Sequence, residues 1–251
     1  MGKDVIVACD FSSAQATFAF LDKFTGRKPF VKIGMELYYA EGPAIVREIK
    51  ARGHKIFLDL KLHDIPNTVK KAMSVLRNLD VDITNLHAAG TTAMMKAALE
   101  GLTREDGTRP LLIAVTQLTS TDQAVMESDL LIHEPIDQVV MHYAETAKNA
   151  GLDGVVCSPL EAGKVHERCG KAFLTVTPGV RFADGDPRRR QGHRLGLHRG
   201  RPSHYRRRRP RRRLRALRGG ILRLNQGGDH LGKLQKRIHS VSGKGRCAEI
   251  R

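Results

Sequence analysis

Three charged side chains stand close together in an otherwise apolar stretch, Ile56-Phe-Leu-Asp-Leu-Lys-Leu-His-Asp64. Asp59 and Lys61 are two residues apart, so in a β-strand both side chains point to the same face. Charged groups are rarely buried unless they are paired. Asp64 adds a carboxylate where the strand ends, which is where parallel α/β proteins place their chemistry. The stretch predicts either a structural ion pair or, as Asp64 favours, the charged centre of a functional site.

The rest of the chain supplies the elements that would position these charges. Helical spacing of apolar residues follows the charged stretch from Pro66, which suits a first helical turn. Further helices are predicted after Ser12 or Ser13 and over 43–52, 68–79, 91–102, 134–149 and 160–168. Seven short apolar runs are candidate buried strands: 4–10, 29–34, 56–62, 83–87, 111–116, 154–157 and 172–177.

Strands that alternate with helices in this way indicate a parallel sheet, and their number favours an α/β fold of the TIM (β/α)8 barrel type. A doubly wound open sheet is the alternative. It predicts fewer strands and a glycine-rich first turn, which Asp10-Phe-Ser-Ser13 lacks.

In a barrel the strand ends converge on one mouth. Residues at or near the predicted strand ends include two lysines, an arginine, two carboxylates, a histidine and a threonine: Asp10, Lys32, Asp59, Lys61, His87, Thr116 and Arg181. Taken singly, Lys32 is as well explained as a surface lysine as by a functional role, and a histidine such as His87 is more often a core residue than a functional one. Together they predict a site for a small anionic ligand.

Charge divides the chain into two parts. Of 43 Lys+Arg and 26 Asp+Glu, residues 187–251 hold 22 and two, which leaves 1–186 mildly acidic. We predict a barrel domain over 1–186 and an Arg-rich tail over 187–251. No apolar run occurs in 187–219, so we expect the eighth strand region to be disrupted or disordered, with Ile221–Leu224 as a last ordered fragment.

Cysteine usage and hydropathy bear on the compartment. The four cysteines, Cys9, Cys157, Cys169 and Cys247, are scattered and show no metal-binding spacing, which suits reduced thiols in a cytoplasmic protein. No signal peptide and no membrane span are predicted.

The run Asp59-Leu-Lys-Leu-His-Asp-Ile-Pro-Asn-Thr68 resembles the signature of the orotidine 5′-phosphate decarboxylase family. Val115-Thr-Gln-Leu-Thr-Ser120 and Thr177-Pro-Gly-Val-Arg181 resemble two of its substrate loops, and the likeness extends from Asp4 to Asp186. It implies cofactor-free decarboxylation of orotidine 5′-phosphate to uridine 5′-phosphate, with no metal, by a homodimer with shared active sites.

The resemblance also implies roles for individual residues. Lys61 corresponds to the catalytic proton donor, with Asp59 and Asp64 beside it and Asp64 reaching the neighbouring subunit's site. The substrate-binding positions are Asp10, Lys32, Ile65, Thr68, Thr119 and Arg181. Paired carboxylates also suit magnesium, but Lys61 between them already supplies the counter-charge.

Two other functions remain open. One is another phosphate-binding decarboxylase or aldolase of the same barrel superfamily, which would need a metal-binding acid at the end of the second strand; Glu36 lies near there, but Lys32-Ile-Gly34 fits the decarboxylase better. The other is an inactive barrel whose basic tail binds nucleic acid non-specifically by counterion release.

The tail itself has three interpretations: a nucleic-acid-binding segment, a solvated segment without function, or the product of a frameshift near Asp186. We favour the frameshift. One codon set that encodes Leu197–Tyr205 reads, in another frame, as Tyr-Ile-Val-Gly-Gly-Arg-Pro-Ile, the strand expected in the family at this place.

Overall fold

Strands and helices alternate over most of the chain, whose structure is a computed structural model that describes residues 4–178, 220–224 and 246–247. The strands are β1 (Asp4–Ala8), β2 (Phe30–Gly34), β3 (Ile56–Leu62), β4 (Ile83–His87), β5 (Leu111–Val115), β6 (Gly154–Val156), β7 (Leu174–Thr177), β8 (Gly220–Leu224) and β9 (Arg246–Cys247). The α-helices are α1 (Ala14–Leu21), α2 (Met35–Glu41), α3 (Pro43–Ala51), α4 (Pro66–Leu76), α5 (Thr91–Leu102), α6 (Gln123–Asp129), α7 (Ile136–Asn149) and α8 (Ala162–Cys169). Short 3-10 helices follow at Arg77–Leu79 and Ala88–Gly90.

The sheet has the topology of a TIM-type barrel. Each of β1 to β7 pairs in parallel with the next strand in chain order, and the helices connect them. All seven predicted strands are present, so the prediction of a (β/α) barrel is confirmed.

The gap between β7 and β1 is closed by a strand of the opposite direction. β8 pairs antiparallel with β1 from Asp4↔Leu224 to Ala8↔Gly220, and with β7 at Val176↔Leu224. β9 pairs in parallel with β8. The parallel eighth strand of a regular barrel is thus replaced. The paired segment includes Ile221–Leu224, the fragment expected to be ordered, and ladder hydrogen bonds use the backbone and do not require a particular sequence.

The core has two layers because successive side chains of each strand face opposite sides of the sheet. One layer lies inside the barrel and includes Phe30, Phe57, Ile83, Ile113 and Val176. The other packs between the sheet and the helices, where Leu58 contacts residues of the surrounding helices. Polar side chains an even number of residues from these interior positions on the same strand therefore also point into the barrel.

Two helices were absent from the sequence-based prediction. α2 has one buried residue, Leu37, and α6 has Met126, so neither shows the apolar period that identifies a helix. The predicted cap of α1 is confirmed at Ser13, whose hydroxyl accepts from the Ala16 N–H. Within the described residues no helix is long and apolar enough to cross a membrane.

Candidate active site

Strand parity brings the charged residues together inside the barrel mouth. Lys32 is two residues from the interior residue Phe30, and Asp59 and Lys61 are two and four residues from Phe57, so they lie on the same face of their strands. Asp10 follows the end of β1, next to β2 in the sheet. Four charges from three neighbouring strands therefore meet at one end of the barrel.

These four groups, the charge row, form an unbroken series of opposite charges. Lys32 Nζ lies 2.8 Å from Asp10 Oδ1 and 3.5 Å from Asp59 Oδ2, and Lys61 Nζ lies 2.7 Å from Asp59 Oδ1. Gly34 leaves room for the Lys32 ammonium, because a Cβ added at Gly34 would lie only 3.1 Å from Lys32 Nζ. Each ammonium is held by at least one carboxylate. These contacts fix its position, whereas an isolated lysine on the surface is mobile.

The β3 backbone departs from a regular strand at Lys61. Leu58 pairs with Thr84 and Leu62 with Leu86, so three β3 residues lie opposite Asn85 alone. Lys61 adopts a left-handed conformation, with φ of 53°. That conformation costs a residue with a side chain about 1–2 kcal/mol and is typical of functional sites.

Asn85 occupies the space opposite this bulge and is fully buried. Its Oδ1 accepts a hydrogen bond of 2.8 Å from the Lys61 backbone N–H, and its Nδ2 donates one of 2.7 Å to Asp59 Oδ1. Asn85 was absent from the sequence-based prediction. Its only signal was an amide in the middle of an apolar strand, which depends on tertiary neighbours for its meaning.

A pocket of about 190 Å³ opens above Lys32, Asp59 and Lys61. Residues from β3 and from the ends of β5, β6 and β7 complete its lining: Phe57, Val115, Gln117, Leu118, Thr119, Val156, Cys157, Val176 and Pro178. The pocket is thus charged on one side and largely apolar on the other, which suits a flat ring that carries an anionic substituent.

The ionisation of the charge row follows from its contacts. Burial opposes ionisation of Asp59, but the Lys32 and Lys61 ammonium groups and hydrogen bonds from Lys61 and Asn85 hold its pKa below the usual range. Burial likewise opposes the charge of Lys32, yet Asp59 and Asp10 hold its pKa above the usual value. Both groups are therefore charged at neutral pH.

Two histidines lie beside the pocket. The rings of His63 and His87 are 5.7 Å apart. Burial, then the proximity of His63 and Lys61, lowers the pKa of His87, so its ring is neutral at pH 7.

The described residues hold no cluster of three or more His, Cys, Asp or Glu side chains suited to a metal ion. The oxygens of Asp59 are already occupied by Lys61, Lys32 and Asn85. The residues present therefore do not fit a magnesium site at this position.

Comparison with known proteins shows the family of this chain. Residues 3–200 match the model of the orotidine 5′-phosphate decarboxylase / HUMPS family. The orotidine 5′-phosphate decarboxylase of Bacillus cereus is 56% identical over 189 residues, which cover 74% of this chain and 79% of that protein. The chain belongs to the orotidine 5′-phosphate decarboxylase / HUMPS family.

Two crystal structures resemble the barrel. The orotidine 5′-phosphate decarboxylase of Lactobacillus acidophilus is 42% identical, with a TM-score of 0.67 over 71% of this chain and 82% of that one. An uncharacterized conserved protein from Geobacillus kaustophilus is 56% identical, with a TM-score of 0.66 over 68% of this chain and 80% of that one.

Several positions predicted from the family signature meet in the pocket, whereas others do not. Lys32, Asp59, Lys61 and Thr119 line it, and Asp10 reaches it through its ion pair with Lys32. Arg181 lies outside the described residues.

Asp64, Ile65 and Thr68 are not among the residues that line the pocket of their own chain. All three are exposed, and Ile65 is 66% exposed. Asp64 Oδ1 accepts from the Ile65 N–H, and among residues 4–178 Asp64 forms no salt bridge, including none with Lys61. Asp59 and Asp64 were both expected to hold Lys61. Within one chain only Asp59 does so.

Proposed function

We propose that this chain catalyses decarboxylation of orotidine 5′-phosphate to uridine 5′-phosphate in pyrimidine biosynthesis, with Lys61 as the proton donor. The observation that carries this proposal is the Lys61 ammonium, held 2.7 Å from Asp59 at the edge of a ring-sized pocket. Family membership supports the reaction, and the charge row supports the mechanism.

The proposed chemistry needs no cofactor. When the bond between C6 and its carboxylate breaks, CO2 departs and the bonding electrons remain on C6. The positive charge of Lys61 stabilises that developing negative charge, and Lys61 then donates a proton to C6. Asp59 fixes the ammonium in place before the reaction, so little reorganisation is needed in the transition state.

The remaining pocket groups are assigned to substrate binding. Asp10 and Lys32 would hold the ribose hydroxyls, and Thr119 would contact the pyrimidine. Gln117, which also lines the pocket, is a second polar group able to hydrogen-bond the ring. Phosphate binding is assigned to Arg181, as the family resemblance implies. Arg181 lies outside the described residues.

The direct test is a turnover assay of this full chain with orotidine 5′-phosphate. A second chain, in which residues after Asp186 are replaced by the sequence read in the other frame, is the matched comparison. We expect the second chain to turn over faster and to melt at a higher temperature, because it restores a parallel eighth strand and the Gly-Arg pair that the family resemblance implies for phosphate binding. Equal turnover and equal melting would contradict the frameshift interpretation, and no turnover by either chain would contradict the proposed function.

We further propose that two copies share their active sites. Asp64, Ile65 and Thr68 are exposed at the start of α4 and do not line their own pocket, which supports a contribution to the pocket of a second subunit. Ile65 is an exposed apolar side chain of the kind that interfaces bury.

Subunit mixing tests the shared site. Neither Lys61→Ala nor Asp64→Ala alone should be fully active, but a mixed dimer contains one site with both wild-type residues. Equal mixing should then restore about a quarter of the wild-type sites. An absence of recovery after verified exchange would mean that each site is built within one chain.

A cytoplasmic location is also proposed. Cys9, Cys157 and Cys169 are free thiols in the described part of the chain and all are buried. Burial raises the pKa of the Cys9 thiol to about 12, so this thiol is protonated and unreactive.

A further inference from the structure

We propose that Asn85 is a positioning residue for the reaction: its amide fixes the left-handed backbone of Lys61 and the carboxylate of Asp59 together. This inference rests on the proposed function of Lys61 as proton donor. It assigns to β4 a role that the charged residues alone do not reveal.

The first support is the backbone of β3. The bulge between Leu58 and Leu62 removes Lys61 from the ladder with β4, so its N–H lacks a ladder acceptor there. Asn85 Oδ1 accepts that N–H at 2.8 Å. An unpaired N–H at this position would destabilise the bulge, since buried donors without partners are costly.

The second support is the other half of the same amide. Asn85 Nδ2 donates to Asp59 Oδ1, the oxygen that also binds Lys61 Nζ at 2.7 Å. Asn85 thus holds both ends of the Lys61 residue: the backbone directly and the ammonium through Asp59. Asn85 is completely buried, which restricts the amide to one place.

The side chain chemistry at position 85 is specific. A primary amide supplies an acceptor and a donor from one small planar group without carrying a charge. Aspartate has the same shape and keeps the acceptor for the Lys61 N–H, but once ionised it lacks the donor and faces Asp59 with a like charge, which raises the pKa of one of the two carboxyls. Alanine removes both contacts.

Thr84 is a matched control on the same strand. It is also fully buried, and its hydroxyl donates to the Leu58 carbonyl at 3.1 Å. It contacts neither Asp59 nor Lys61 through any hydrogen bond in the described residues. Thr84→Ala therefore removes one buried hydrogen bond of β4 to β3 without touching the charge row.

The experiment compares Asn85→Ala, Asn85→Asp and Thr84→Ala in the full chain. Kinetics with orotidine 5′-phosphate give kcat and KM, thermal melts give stability, and hydrogen exchange gives the protection of the Lys61 amide. We expect Asn85→Ala to lower kcat about 10²-fold, as a small misplacement of a reacting group does, with much less change in KM. The Lys61 amide should exchange about tenfold faster in Asn85→Ala than in Thr84→Ala.

The two remaining variants separate positioning from stability. Thr84→Ala should lower the melting temperature but leave kcat near that of the parent. Asn85→Asp should keep the Lys61 amide protected and lose kcat as the pH rises and its carboxyl ionises, which also decides the case if Asn85→Ala fails to fold. A kcat of Asn85→Asp that matches the parent at every pH, or equal kcat losses in Thr84→Ala and Asn85→Ala, would overturn the proposal.

Failure of the proposed function gives a different result. If the chain with its reading frame restored also shows no turnover, decarboxylation is contradicted, but exchange of the Lys61 amide still reports on Asn85. Unchanged protection of that amide in Asn85→Ala overturns the role of Asn85 whether or not the parent is active.

Discussion

Carboxylates at the two ends of the barrel have similar neighbours but different tasks. At the amino ends of the strands, Asp82 and Asp153 each accept a backbone N–H of the preceding strand, from Ile56 at 2.8 Å and from Leu112 at 2.7 Å. Each also donates its own N–H to the carbonyl of that same residue. The two carboxylates therefore close equivalent rings on β3 and β5.

Each amino-end carboxylate also has one cation. Lys50 Nζ lies 3.2 Å from Asp82, and Arg109 binds Asp153 with two nitrogens. At the carboxyl ends, Asp59 accepts from side chains only, and its cations open onto a pocket. The comparison teaches that pairing with the backbone makes a half-buried charge structural, whereas a charge paired only with side chains beside a pocket is available for chemistry.

The largest expected effect is at the carboxyl end. Lys61→Ala should lower kcat by several orders of magnitude with the fold retained, because it removes the charge that meets the carbanion. The measurement is kcat by steady-state assay in the chain with its reading frame restored.

Lys50→Ala is the matched variant at the amino end, where kcat should stay within about twofold of the parent. Retention by Lys61→Ala of more than about a tenth of parental activity, a difference of only ~1.4 kcal/mol, would remove Lys61 from the mechanism.

The next effect concerns stability at the amino end. Asp153→Ala leaves the Leu112 N–H and Arg109 without their partner, and we expect a loss of about 1–3 kcal/mol in the free energy of unfolding. Urea denaturation measures it. Turnover per folded molecule should not change.

Asp153→Asn is the control, since its amide oxygen can still accept the Leu112 N–H and should cost less. A kcat loss in Asp153→Ala comparable to that of a pocket variant would show that the two ends are not functionally separate.

The smallest expected effect is a pH dependence of stability. Burial, aided by Lys28 and Arg52 and opposed by the Pro29 carbonyl, lowers the pKa of His54 at the amino end. Burial and the nearby His63 and Lys61 lower the pKa of His87 at the carboxyl end. In the window below the usual histidine pKa of about 6.5 the unfolded chain binds more protons, so stability should fall as the pH falls.

Urea titrations at pH 7 and pH 5.5 measure this loss. His54→Gln should reduce the loss more than His87→Gln, because His54 is buried and His87 only half-buried. The depressed pKa of Asp59 acts at lower pH, with stability lost as the pH falls below about 3.9. If His87→Gln reduced the loss of stability more than His54→Gln, the main pH-dependent contribution would lie at the pocket instead.

The sequence determined much of the scaffold and most of the charge row. Strand positions were readable because a strand buried on both faces is a short continuous apolar run. Two-residue alternation placed Asp59 and Lys61 on one face, and their contact is as predicted. The run from Asp59 to Thr68 indicated the family, because a motif is a local property of the chain.

Other features became visible only in the folded chain. Helices α2 and α6 bury too few residues to show a period, so packing and the Asp122 cap of α6 define them. Closure of the sheet by the antiparallel β8 depends on which backbone edges are unpaired, and an amino-acid pattern does not record that.

The arrangement around Lys61 is the clearest case. Alternation predicts a regular strand, but the bulge and the left-handed φ exist because Asn85 lies opposite and accepts the freed N–H. Asp64 sits three residues from Lys61 in sequence, yet the turn into α4 directs it outward. Local spacing fixes which residues can meet, whereas contacts between β3 and β4 decide which do, because those contacts join residues more than twenty positions apart.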